Sequence, residues 1–316
     1  MTPLCREPVV LPGSAKEYFS HAQAHQRLLA DKHRLVSFQR ALASRSHQSA
    51  RIIDVGAGRG ILSLYAGQCG AAEVHLLEES SHNLESAASW LDGADLGTRY
   101  RYHQGRCSKG LGDPAGVESI IVSETLGTLG INEGFFGSVY DVQKANGRRL
   151  STIPQFLELY AAPIRIYGCE RSGLPETPCV IRNLRSHWGC LETGVPSRLF
   201  GARCSEAGRY VQGSVSTRVK FLGSECGLIL WFVARLGDGI VLSNNPGFGG
   251  ASWGTVFIPN NFEPGPASIT FLWKELSHNE WARSRFYRDG GSLSWVESQR
   301  LCDERSVTWA LTVRQP

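Results

Sequence analysis

Two regimes of hydrophobic patterning divide the 316-residue chain. Up to about residue 150, stretches with helical and strand periods alternate. Over residues 22–43, apolar side chains at 28, 29, 35, 36 and 38 recur at the three-to-four spacing of an amphipathic helix. Arg51–Val55 reads as a short buried strand running into a glycine turn, 61–69 as a helix, and 74–77 as a second strand. A helix over 81–91 and a strand over 119–122 continue the alternation, and this order predicts a parallel sheet with helices on both faces. From about Phe156 the pattern changes to short segments rich in β-branched and aromatic residues: FLELYAAPIRIY, STRVKFLG, LILWFVARL, GIVLS, TVFIP, SITFLWKEL, SLSWVES and SVTWALTV. Gly, Pro, Asn and Asp separate them, which predicts a β-sandwich or barrel. The expected fold class is α/β, with a parallel-rich sheet over 1–154 and a second, all-β domain over 155–316. The cleft between the two is the default binding site.

Composition narrows the function. The chain is 42% hydrophobic and 20% charged, and no apolar run approaches the ~20 residues that span a bilayer. The first residues lack the apolar stretch of a signal peptide, so the expected location is the cytoplasm and no membrane partner is expected. Thirty-three Lys+Arg against 29 Asp+Glu give a net charge of +4, spread evenly along the chain. That balance argues against a nucleic-acid binder, which concentrates basic residues. The nine cysteines are an odd number and form no C-x-x-C pair, so reduced thiols and no metal site are expected.

Two motifs carry chemistry. Asp54-Val55-Gly56-Ala57-Gly58-Arg59-Gly60 lies between a strand and a helix, where glycines let a ligand approach the backbone. A dinucleotide fingerprint needs a third glycine where Ile61 stands, and no G-K-[ST] ending is present. The remaining reading is S-adenosylmethionine, with Glu78 at the end of the next strand, or Glu79 beside it, accepting the ribose hydroxyls. The plainer alternative is a tight strand-to-helix connection. The second motif is Ser123-Glu124 followed, across a loop broken by Gly127 and Gly130, by Glu133. Two carboxylates on opposite arms of a loop can hold a planar guanidinium through paired N–H bonds. Alternatively they are solvated loop acids, or one of them caps a helix over 133–140.

The run SE-x8-E resembles the double-E loop of the protein arginine methyltransferases. The resemblance extends to IIDVGAGRGILSLYA, to VHLLEESS and to LSTIPQFLELYAAPI at the junction. It also covers the helix AHQRLLADKHRLVSFQRAL, where His25, Leu28, Leu29, Asp31 and Arg34 follow the family pattern with Leu28 in place of Met. The resemblance implies a Rossmann-like S-adenosylmethionine methyltransferase domain followed by a β-barrel, with Glu124 and Glu133 as catalytic residues. It implies cofactor contacts from His25, Arg34, Asp54, Gly56, Gly58, Glu78, Cys107 and Ser108, with Arg34 pairing with the cofactor carboxylate. Phe19, Ser252 and Trp253 would line the substrate pocket, and a homodimer is implied.

Past the junction the match thins. Ala251 and Ser252 stand where the family's Thr-His-Trp loop has Thr and His, and the second Tyr of its N-terminal Tyr-Phe-x-x-Tyr element is Ala22. The altered loop, the mildly basic charge and a chain little larger than a catalytic core tilt the expected acceptor toward free L-arginine or a small guanidine. Arginine in proteins is the alternative acceptor. A non-catalytic paralogue that binds a partner enzyme is a further reading.

Overall fold

The computed structural model describes residues 30–45, 50–105, 111, 116–167, 175, 178–181, 190–246, 253–259, 263–276, 285–289, 292–302 and 305–315. Among the sequence-derived site residues, Phe19, His25, Cys107, Ser108 and Ser252 lie outside these, as does the first part of the helix expected over 22–43.

The first described helix, α1 (Lys32–Ala43), is capped by Asp31, whose carboxylate accepts the Arg34 backbone N–H at 3.1 Å. Its buried face carries Arg34, Phe38, Ala41 and Leu42. Five strands then form a wholly parallel sheet: β1 (Arg51–Val55), β2 (Glu73–Glu78), β3 (Arg99–Gln104), β4 (Ser119–Ser123) and β5 (Ser151–Ile153). Helices α2 (Ile61–Gln68) and α3 (Ser81–Leu91) link β1 to β2 and β2 to β3, and α4 (Phe135–Ala145) links β4 to β5. The sheet order is β3-β2-β1-β4-β5. The chain therefore steps outward one way from β1 and then returns to its other side, creating a switch point between the carboxyl ends of β1 and β4. β1 and β4 are buried on both faces, which is why they read as continuous apolar runs. Arg51, at the start of β1, is also buried, and its guanidinium is satisfied by Ser119 Oγ, the Leu111 carbonyl and Asn146 Oδ1 at 3.1, 2.8 and 2.7 Å.

From β6 (Phe156–Tyr167) on, every pairing is antiparallel. One sheet runs β7-β13-β11-β6-β8, built from β6, β7 (Cys179–Ile181), β8 (Cys190–Thr193), β11 (Gly227–Gly237) and β13 (Thr255–Pro259). To it are added β12 (Ile240–Ser243), paired with β11, and β9 (Ser197–Arg203), paired with β6. The other sheet runs β10-β14-β17-β16-β15, from β10 (Gln212–Phe221), β14 (Gly265–Leu276), β15 (Arg285–Asp289), β16 (Ser292–Cys302) and β17 (Arg305–Arg314). The fold is thus the expected α/β class, a Rossmann-like parallel sheet with antiparallel sheets after it. One apolar core is continuous from Phe38 and Ile52 through Ile121 and Leu159 to Phe271 and Val313. Helix α1 packs on β11 and β12, so the N-terminal helix joins the parallel sheet to the antiparallel one.

Candidate active site

The glycine turn after β1 is shaped by backbone that L side chains resist. Gly56, Gly58 and Gly60 have φ of 72°, 54° and 80°, and a Cβ on Gly56 would lie 2.4 Å from Thr125 Cγ2. Glu78, the last residue of β2, faces this turn. Its Oε2 accepts the Gly58 N–H at 2.8 Å and its Oε1 the Ser80 N–H at 2.9 Å. The Asn83 side chain also bonds to this carboxylate, and burial raises its pKa. Glu78 is thus bonded to the turn. Asp54 is 1% exposed and accepts from Ser63 Oγ at 2.7 Å, so its side chain ties β1 to the first turn of α2. Desolvation, with Glu124 and Glu78 adding repulsion, pushes its pKa up to about 7.

The loop from β4 to α4 begins at Glu124 and ends at Glu133. Ser123 anchors its start, donating to the Val55 carbonyl at 2.7 Å across the switch point. Gly127, Gly130 and Gly134 turn the chain with φ of 61°, 78° and 76°. Asn132 Oδ1 accepts the Leu129 N–H at 2.9 Å, closing the loop on itself. A Cβ on Gly130 would meet Phe232 Cβ at 2.9 Å, so the loop lies directly on β11. Burial raises the pKa of Glu124 to about 7 against the opposing pull of Arg34. It raises that of Glu133 to about 8, with Glu124 adding repulsion. The charges of Glu124 and Arg34 both act on Glu133, so the two ends of the loop share one electrostatic neighbourhood.

Arg34 reaches this point from α1. It is 1% exposed, its Nη1 donates to Glu124 Oε1, and its guanidinium lies 5.6 Å from the ring centre of Trp253. Trp253 is 8% exposed and packs edge-on against Phe232, with ring centres 5.1 Å apart. The structure thus places Arg34 on Glu124 itself. Asp54, Glu78, Glu124 and Glu133 gather around the switch point and raise one another's pKa, and Asp31 adds to the repulsion at Glu124. Such a basin repels phosphates and favours cations. Its chemistry suits a cofactor bearing a sulfonium and a ribose, whose carboxylate has Arg34 within the same site.

The sequence reading passed over Asn244, just after β12, whose side chain bonds to the Thr128 carbonyl of the glutamate loop at 2.8 Å and to the Gly254 carbonyl beside Trp253. No type-based signal marks such a residue, because an Asn between a strand and a Pro reads as turn punctuation.

No protein-family model matches the chain. Over 155 residues it is 28% identical to the histone-arginine methyltransferase CARMER of Drosophila ananassae, covering 48% of this chain and 29% of that protein. Over 130 residues it is 36% identical to a probable histone-arginine methyltransferase CARM1 of Oryza sativa subsp. indica, covering 38% of this chain and 23% of that protein. The chain is a divergent relative of the protein arginine methyltransferases. In these alignments it spans less than a third of each relative's length. The fold agrees along nearly the whole chain. Arabidopsis thaliana protein arginine methyltransferase 10 superposes with a TM-score of 0.68 at 16% identity, over 94% of this chain and 99% of that one. A chain of the Trypanosoma brucei PRMT1 enzyme-prozyme heterotetrameric complex with AdoHcy superposes with a TM-score of 0.63 at 18% identity, over 92% and 98%. The fold shared with these structures therefore includes the antiparallel sheets.

Proposed function

We propose that the chain transfers a methyl group from S-adenosylmethionine to a guanidino nitrogen of arginine carried in a protein or peptide. The observation that carries this reading is the convergence of Glu124 and Glu133 at the switch point, beside a glycine turn clasped by Glu78. The relatives named as histone-arginine methyltransferases support a protein-borne acceptor over the free arginine to which composition and the altered loop tilt. When bound, S-adenosylmethionine supplies an electrophilic methyl carbon on a positively charged sulfur.

The protein's share is positioning and electrostatics. Glu78 would accept from the ribose, and Gly56 and Gly58 leave the turn free of side chains. Glu124 and Glu133 hold the acceptor guanidinium and draw its positive charge toward the nitrogens they contact. The remaining nitrogen gains lone-pair character, which a free guanidinium with a pKa above ~12 lacks. Arg34 opposes the burial that raises the Glu124 pKa and orients its carboxylate, and Trp253 walls the pocket. Methyl transfer to the guanidinium would require the accepting nitrogen to lose a proton. A carboxylate of the loop or water receives it. Correct orientation alone supplies on the order of 7–11 kcal/mol in favourable cases. The family resemblance also supports a homodimer.

The test is a mass-spectrometric assay with isotopically labelled S-adenosylmethionine, an Arg-Gly-rich peptide and free L-arginine in parallel, and Glu124→Gln as control. Labelled peptide, absent with the variant, is expected. Label on free arginine alone would restore the small-guanidine reading. Cofactor binding with no transfer to either would make the chain a non-catalytic partner.

A further inference from the structure

We propose that Asn244 is a positioning residue for the acceptor pocket, holding the glutamate-bearing loop against the Trp253 turn; this rests on the function proposed above. The side chain is 2% exposed, and three separate pieces of backbone meet at its amide. Oδ1 accepts the Phe232 N–H of β11 at 2.7 Å. Nδ2 donates to the Thr128 carbonyl at 2.8 Å and to the Gly254 carbonyl. Thr128 lies within the loop between Glu124 and Glu133, and Gly254 directly follows Trp253. The residue's own carbonyl accepts from Thr255 Oγ1 at 2.7 Å, which fixes the amide from behind. Thr128 Oγ1 makes a longer bond, 3.4 Å, to the Trp253 carbonyl across the same junction.

Only an amide of this length offers one acceptor and two donors in a single plane. An Asp here would keep the bond from Phe232 but face two carbonyls with no proton to give. A Ser has one proton for two carbonyls. Asn244 therefore fixes the distance between the parts of the pocket that hold the acceptor cation, the two carboxylates and the indole wall. It does so without touching the acceptor. Its influence falls on the orientation of a bound guanidinium toward the methyl donor, while the ribose end of the site, built by β1 and β2, is independent of it.

Ser243 supplies the control. It is equally buried, donates to the Phe232 carbonyl and accepts the Asn245 N–H at 3.1 Å, bonds that stay at β11 and β12. The full chain is compared with Asn244→Ala, Asn244→Asp and Ser243→Ala by hydrogen–deuterium exchange, AdoHcy titration and steady-state methylation of an Arg-Gly-rich peptide. Both Asn244 variants are expected to speed exchange in 126–134 and 253–256 together, by about tenfold or more. They are expected to lower kcat by on the order of 100-fold while AdoHcy affinity is unchanged. Ser243→Ala is expected to lower Tm without that joint change. Faster exchange confined to 232 and 244–245, or a loss of kcat that simply tracks Tm across all three variants, would overturn the proposal. A wild-type chain that methylates no guanidine would sink the functional reading, and the exchange result would still decide whether Asn244 joins loop to turn.

Discussion

Glu124 and Glu133 differ in what holds them, so their loss has different consequences. Glu124 is 16% exposed and is the partner of the buried Arg34, whereas Glu133 is restrained by a backbone bond from Gly127 and by repulsion from Glu124. Glu124→Gln should abolish transfer and also destabilise the fold by about 3–5 kcal/mol, because it removes the carboxylate that offsets a buried guanidinium charge. Glu133→Gln should cost on the order of 100-fold or more in kcat/KM with Tm unchanged or raised. Thermal unfolding beside turnover separates the two. The titrations have a sign of their own. Both carboxyls have pKa values near 7 and 8 in the folded chain against about 4.5 when unfolded, so between these limits the native state binds more protons. Stability of the ligand-free protein should therefore fall as pH rises from about 5 to 8, while kcat/KM for a cationic acceptor should rise through the same window. Glu133→Gln should flatten the slope of Tm against pH. The glycines and glutamates could be read from sequence because their residue types carry the chemistry. Asn244 was hidden because its role is three hydrogen bonds to residues 10 to 116 positions away.

Elements were legible in proportion to their burial. β1 and β4 have no polar face and declare themselves. β3, RYRYHQ, does not, because it is the edge strand: Arg99 and Arg101 point to solvent, and the sequence shows Arg, His and Gln where a central strand shows Val and Ile. α4 was seen only as a possible capped helix, since Gly134 caps it in a left-handed conformation with no side-chain bond. α1 begins with a proper cap, and Asp31→Ala should cost about 1 kcal/mol, visible as a lowered Tm. Gly130→Ala probes the glutamate loop as a unit. It combines a positive φ of 78° with a contact of 2.9 Å against Phe232 Cβ, so the loop must lift from β11. The expected outcome is a loss of peptide methylation far larger than the loss in Tm, with AdoHcy binding retained.

At the scale of the molecule, the parallel and antiparallel parts share one apolar core, with Phe38 of α1, Phe232 of β11 and Phe271 of β14 all buried within it. Unfolding should accordingly appear as one calorimetric transition with matching van't Hoff and calorimetric enthalpies. Two resolved transitions would show that the halves are separable. Sequence patterning gave the change of regime near residue 150, because strand and helix periods differ, but it gave neither strand order nor register. Those depend on partners distant in the chain, as β6 pairing with β9 and β11 shows. The burial of Arg34 by Trp253 has a consequence in time. A growing chain that has made α1, the first four strands and Glu124 already carries Arg34 and its carboxylate partner, yet the indole of Trp253 lies 219 positions beyond Arg34, counting from 34 to 253. Until Trp253 is made, the guanidinium lacks the ring that lies over it in the folded chain. The acceptor pocket is therefore a late product of folding, reached only by long-range contacts, and a chain halted before Trp253 has its charges in place without the wall that makes them matter.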